Sequence, residues 1–214
     1  TVRDSGFETQ RHTWIGSWRT EGGFISVDTG FSRSRDVGTP ALPMDMVRDD
    51  SWHFGLHQLE RFDWGSWETR VYFHDVDHLM DNFSLRDFNP MMMRETDTTS
   101  DTSGGRLVLT STTGNTIWNY GIDLQRNVRN ATLFNMSMTP AVPLFFLWPD
   151  ADIRQYGLFA EATTKVDVKR RLVYGLRVDR VDASAGLAGA QPNPMSPYTA
   201  NMAYMTYYGT TAQD

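Results

Sequence analysis

Period-two alternation of apolar and polar residues recurs along the chain in short stretches, and it predicts strands throughout. The clearest case is about residues 117–128, where Trp118, Tyr120, Ile122 and Leu124 alternate with Asn119, Gly121, Asp123 and Gln125. The stretch beginning at Trp64 behaves alike. Trp67, Val71 and Phe73 occupy odd positions, while Glu68, Arg70, Tyr72, His74, His78 and Met80 share the other face. A strand over about 12–20 carries Trp14, Gly16 and Trp18 on one face. One over 24–33 sets Ile25, Val27, Thr29 and Phe31 against Ser26, Asp28, Gly30 and Ser32. One over 52–62 sets Trp52, Phe54 and Leu56 against His53, Gly55 and His57. Further strands fall over about 105–112, 154–164 and 171–182, and a ninth is expected to begin near Asn201.

The connections alternate in length. Short turns sit at 21–23, 63–66, 113–115 and 166–169, and long polar segments at 34–50, 81–104, 129–152 and beyond 182. In an antiparallel sheet this alternation gathers every long loop at one end. Strands of about ten residues cross a bilayer when tilted. The pattern therefore predicts an all-β protein, a segment of an antiparallel transmembrane β-barrel with about eight or nine strands. A soluble β-sandwich shows the same alternation with its apolar face as core. Trp14, Trp18 and Trp118 on the apolar face, and the gathered long loops, favour the membrane barrel.

Composition narrows the reading. The chain has 214 residues, with 40% hydrophobic and 13% aromatic, seven Trp and eight Tyr among them. No apolar run approaches the length of a membrane helix. Cys is absent, which removes disulfides and thiolate sites from this segment. A formal charge of −6 argues against nucleic acid as a partner. Eleven Met is a high number, and several lie in the long polar segments. The chain begins at Thr1 without Met and ends at Asp214 without a capping element, as expected of an internal piece of a longer protein. At this spacing a barrel of about 22 strands needs on the order of 500 residues, so the segment is under half of one wall. An open curved sheet has two bare edges that a bilayer does not tolerate.

The chain resembles the barrel of a TonB-dependent outer-membrane receptor, and more closely the copper-receptor branch of that family. The residues that carry the resemblance are Val71–Arg86 (VYFHDVDHLMDNFSLR), the Met-rich segment Pro90–Met93, GGRL at 104–107, YGLFAE at 156–161 and GLRVDR at 175–180. The last two are generic to such receptors, and DHLMDNFSLR is much more specific. The resemblance implies an outer-membrane location, a transporter rather than an enzyme, and copper as bound cargo. It also implies an N-terminal plug and a TonB energy-coupling complex as partners, neither found in this segment. In the family a His-x-Met pair on the wall is completed by a Cys-x-x-x-Met from the plug. His78 and Met80 match the wall half, and nothing here matches the plug half.

The chemistry agrees with that assignment. Imidazole and thioether suit copper, with thioether favouring Cu(I). His78 and Met80, at i and i+2 on a strand, share a face. They are expected to face the lumen near the outer mouth. Possible accessory metal capture falls to His74, one step lower, and to Met44, Met46, Met91, Met92 and Met93, with Met136 and Met138 also in a loop. Loop methionines could equally pack the loops together. Asp75 and Asp77 are expected outward near the rim. His53 and His57 lie two steps apart on one strand face, a weak metal signal. No catalytic triad, paired carboxylates or phosphate-cradling loop is present. The alternatives are a receptor of the same family for a ferric siderophore or haem, and a soluble binding β-sandwich.

Overall fold

A computed structural model describes residues 5–196 and 198–211. Residues 1–4, 197 and 212–214, and with them the very ends that read as internal cuts, lie outside the described residues. Eight antiparallel strands form one sheet in sequence order: β1 (Glu8–Arg19), β2 (Phe24–Val37), β3 (Asp45–Phe62), β4 (Gly65–Asp81), β5 (Arg94–Thr113), β6 (Thr116–Asn135), β7 (Val142–Lys165) and β8 (Arg171–Ala185). Every strand pairs with its neighbours in sequence, and among the described residues β1 and β8 are open edges. The sheet is an unclosed section of barrel wall.

The alternation predicted from sequence holds. Residues paired across an antiparallel ladder point the same way, so one row of partners fixes a face. Trp14, Thr29, Phe54, Phe73 and Ser103 form one such row, and Leu124, Tyr156 and Arg180 form another. Most of this face is apolar and exposed, with Trp14, Trp18, Ile122, Leu158, Leu176 and Val178 in contact with nothing that would bury them. A soluble sandwich would cover those residues with a second sheet. Among the described residues no large apolar side chain is buried, alanines such as Ala131, Ala162 and Ala188 being the main buried ones, so the sheet is a single layer whose apolar face meets its solvent directly. The outward apolar positions run from Trp118 to Leu124 on β6 and from Leu172 to Val178 on β8, the stretch that a lipid band would cover.

Three expectations are corrected. The polar segments 34–50, 81–104 and 129–152 are not loops over most of their length. β2 runs on to Val37 and β3 starts at Asp45, β5 starts at Arg94, and β6 and β7 continue to Asn135 and from Val142. Above the apolar band both faces meet water, so the strands persist while the apolar half of the pattern disappears. The true loops at that end are 38–44, 82–93 and 136–141. The ninth strand near Asn201 is instead a helix, α1 (Ala200–Tyr208). Thr199 caps it by accepting from the Met202 N–H, and Gly209, left-handed at φ 71°, ends it by donating its N–H to the Met205 carbonyl. α1 folds back so that Ala200 and Tyr204 pack on Ala185, Ala188 and Phe145. The wall stretch counted from Trp64 ends as a strand at Asp81, with residues 82–86 in the loop.

Candidate metal-binding wall

Strand β4 positions the predicted pair. His78 and Met80 lie on the same face as Arg70 and His74, opposite Phe73, in the part of β4 above the apolar band. His78 sits directly across from Asp49 on β3 and Thr98 on β5. Its Nδ1 is 3.0 Å from Asp49 Oδ2, and its side chain is 25% exposed. In the neutral tautomer that donates Nδ1–H to Asp49, the Nε2 lone pair is left for a metal, and the carboxylate fixes the ring. Asp49 is a site residue that the sequence did not single out. Only the β3–β4 register brings it to His78.

Met80 sits directly across from Met46 on β3 and Thr96 on β5. That pairing depends on a bulge. Arg48 pairs with Leu79 on the outward face, and the register then shifts so that Met46 pairs with Met80. Two residues advance on β3 against one on β4. Without the extra residue, Met46 would share the outward face of Arg48, since i and i+2 point alike. The bulge sets Met46 directly across from Met80 on β4, while toward β2 Met46 stays in register with Val37. Met44, one loop residue further on, is held on the same side, where Thr96 Oγ1 lies 3.6 Å from its Sδ. The structure thus brings Met44, Met46 and Met80 to one patch of wall with His78 beside it.

The loops above this patch are tied down. Asp45 has no exposed side-chain surface and is bound by Arg86, whose Nε is 2.6 Å from its Oδ2. The neighbouring guanidinium holds the Asp45 carboxyl below the usual carboxylate range. Arg86 also donates to the Leu42 carbonyl at 2.9 Å. Asp81, buried and paired with Asp45, accepts from the backbone N–H groups of Phe83 and Ser84 at 3.1 and 2.9 Å. Loop 38–44 and loop 82–93 are therefore one ionic unit. The FSLR of the family-like motif acts here: its Arg86 is the latch.

The other predicted positions divide. His74 faces the lumen one step lower, directly across from His53 and Thr102. His53 Nε2 lies 3.7 Å from Asp28 Oδ2, and its ring leans over Gly30, where any Cβ would meet His53 Cε1 at 2.7 Å. His57 is engaged at 2.9 Å by Glu68, which Arg70 also holds at 2.7 Å. Met91 and Met92 stand on a 3-10 turn, Pro90–Met92, and are the more exposed, Met91 at 82%. Met93 follows that turn, its N–H donating to Ser137 Oγ at 3.0 Å. Met138 is exposed in loop 136–141, and Met136 donates its N–H to the Met93 carbonyl at 3.0 Å. Asp75 and Asp77 do face outward, as expected, with Asp77 bound to Arg48 at 2.8 Å. Among the described residues no three His, Asp or Glu side chains are arranged to hold a metal. What this patch of wall offers is one imidazole beside three methionines.

Residues 2–211 match the family model for "TonB dependent receptor-like, beta-barrel". The chain belongs to that family. This segment of a TonB-dependent receptor barrel is also similar in fold to the solved structure named "Copper transporter OprC", with a TM-score of 0.72 and 24% sequence identity. The match covers 91% of this chain and 33% of that one, so the segment spans about a third of its neighbour's length. No curated protein matches the sequence significantly.

Proposed function

We propose that this receptor segment is the part of an outer-membrane wall that takes copper from outside, with His78 and Met80 as the wall's ligands and Met46 and Met44 beside them. The protein is a transporter and not an enzyme on this reading. Copper is cargo, passed inward to a plug domain and moved under TonB coupling.

One observation carries the reading: His78 is held by Asp49 while a β-bulge sets Met46 directly across from Met80. An imidazole with a buttressing carboxylate beside paired thioethers is a soft half-site with no evident structural need. The half-site leaves coordination positions open, which a second set of ligands on the plug would complete. The position above the lipid band lets an arriving ion meet the wall before the plug. The solved neighbour's name, a copper transporter, points the same way.

The test is copper binding by the full-length receptor, native and with His78→Ala plus Met80→Ala. The native protein is expected to bind copper with an affinity at least about 100-fold above the double variant, since even residues that only buttress a ligand contribute 10–100-fold. Unchanged stoichiometry and affinity would refute the assignment. Retention of an iron chelate with copper absent would move the cargo to a ferric siderophore or haem.

A further inference from the structure

Two lumenal carboxylates on β2 and β3 are met by an imidazole and, among the described residues, by no arginine or lysine. One is Asp49, across from His78. The other is Asp28 on β2, which is met by His53. Asp28 lies across from Gly55, three lumenal steps from Asp49 toward the short turns. At about 3.3 Å per residue that is about 20 Å further along the wall. Glu68, Asp123 and Asp179, by contrast, are answered by the guanidiniums of Arg70 and Arg177.

Two glycines make room for this pair. Asp28 faces Gly55 and His53 faces Gly30. Neither glycine has a positive φ, and the β2–β3 register is unbroken from Phe24 to Arg35. The backbone therefore does not call for glycine at either place. Space does: a Cβ on Gly55 would meet Asp28 Oδ2 at 2.9 Å, and one on Gly30 would meet His53 Cε1 at 2.7 Å. Glycine inside a strand weakens it and marks a close approach. The carboxylate and the ring lie over these glycines, with His53 Nε2 3.7 Å from Asp28 Oδ2. That is too long for a hydrogen bond. It is close to the spacing of two donors that share one ion at about 2.1 Å each. His74 stands directly across from His53 on β4, and such partners have Cβ atoms about 5 Å apart. His74 is exposed, and among the described residues no hydrogen bond holds its ring. Asp28, His53, His57, Arg70 and His74 line one cavity of about 440 Å³, in which Glu68 already engages His57 and Arg70.

We propose that Asp28, His53 and His74 form a second metal site in the lumen, one that takes a borderline divalent cation such as Zn(II). Two donors are in place, and the third stands across the ladder. Imidazole and carboxylate without sulfur suit Zn(II) and Cu(II), whereas the thioether of Met80 favours Cu(I). The two sites on this wall therefore differ in the ions they hold best. The lower one rests on the wall geometry and not on the cargo assigned to His78 and Met80.

The experiment is anomalous diffraction at the zinc edge from crystals of the full-length receptor grown with Zn(II). A peak at ligand distance from His53 Nε2 and Asp28 Oδ2 is expected. His53→Gln plus His74→Gln should abolish it, and His78→Ala plus Met80→Ala should leave it in place. In solution, native mass spectrometry at graded Zn(II) should show the His53→Gln plus His74→Gln receptor binding one zinc ion at least about tenfold more weakly, since even partners that only orient a ligand contribute that much. No peak in the native protein would overturn the site, as would a peak that survives His53→Gln plus His74→Gln. Unchanged zinc affinity in solution would show binding at crystal concentration only and overturn it too. Loss of the peak in both paired variants would make the lower site dependent on His78 and Met80, against the independence proposed.

Discussion

The two halves of the lumenal wall are built alike and lined differently. β2–β4 and β5–β8 share the same antiparallel order, the same apolar outer face and the same short turns at one end. On β2–β4 the lumenal residues include Asp28, His53, His57, His74, Asp49, His78 and Met80. On β5–β8 they include Arg106, Asp123, Arg177 and Asp179, with Arg106 3.6 Å from Asp123 and Arg177 2.6 Å from Asp179. Arg106 also lies over the lumenal Phe159 ring at 4.7 Å. Arg177 and Asp179 fold over Gly157, whose absent side chain leaves them the room, since a Cβ there would meet Arg177 Nη2 at 2.3 Å. Guanidiniums have no lone pair to offer, and their carboxylate partners are already engaged. The difference shows that a polar lumen is not by itself a metal path. Imidazole and thioether, the groups with lone pairs to offer, lie on β2–β4.

Four experiments bear on the contrast between the two halves. The largest effect is expected from confusing the two faces. Leu176→Arg, mid-band and outward, should destabilise the folded receptor by about 2–4 kcal/mol, against under about 1 kcal/mol for the lumenal Gln155→Arg. Chemical unfolding from lipid vesicles reads both, and equal costs would contradict the assigned faces. Next, Asp49→Asn should weaken copper binding about tenfold, the usual cost of losing a partner that orients a ligand. An unchanged titration would leave His78 without its buttress role. Arg177→Gln on the other half should leave copper affinity unchanged, and a drop would show that the two halves are coupled. Last, the loop latch should be sensitive to acid. Arg86 lowers the Asp45 pKa in the folded state, so this pair stabilises the loops above the carboxyl's ordinary value, 3.8, and the contribution is lost as pH falls through the lower folded value. Loops 38–44 and 82–93 should therefore lose protection below about pH 4 in the native protein, hydrogen exchange speeding up relative to its intrinsic rate at that pH. In Asp45→Asn it should be fast already at neutral pH.

Much of this was legible in the sequence, and the reasons for the rest are physical. The faces of β1, β3, β6 and β8 follow from alternation because lipid on one side and water on the other impose it. Above the band that constraint lifts. The segment RETDTTSDTS, residues 94–103, is strand with polar residues on both faces, and its Thr-rich composition was the remaining signal. The helix at 200–208 has apolar residues without a clear face, and only Thr199 and Gly209 mark its ends. His78 and Met80 were visible as an i, i+2 pair within a family-like motif. Asp49 was not, because a cross-strand partner depends on register. Nor was Met46 legible as the partner of Met80, because that pairing depends on the bulge between Met46 and Arg48.

On the proposed function, the patch of β3 and β4 around His78 and Met80 is half of a copper site. The most direct measurement is anomalous diffraction at the copper edge from crystals of the full-length receptor grown with copper. The account predicts one dominant peak at ligand distance from His78 Nε2 and Met80 Sδ, above the lipid band and open toward the plug. A peak on the exposed Met91 and Met92 alone, or no peak on the β3–β4 wall, would contradict it.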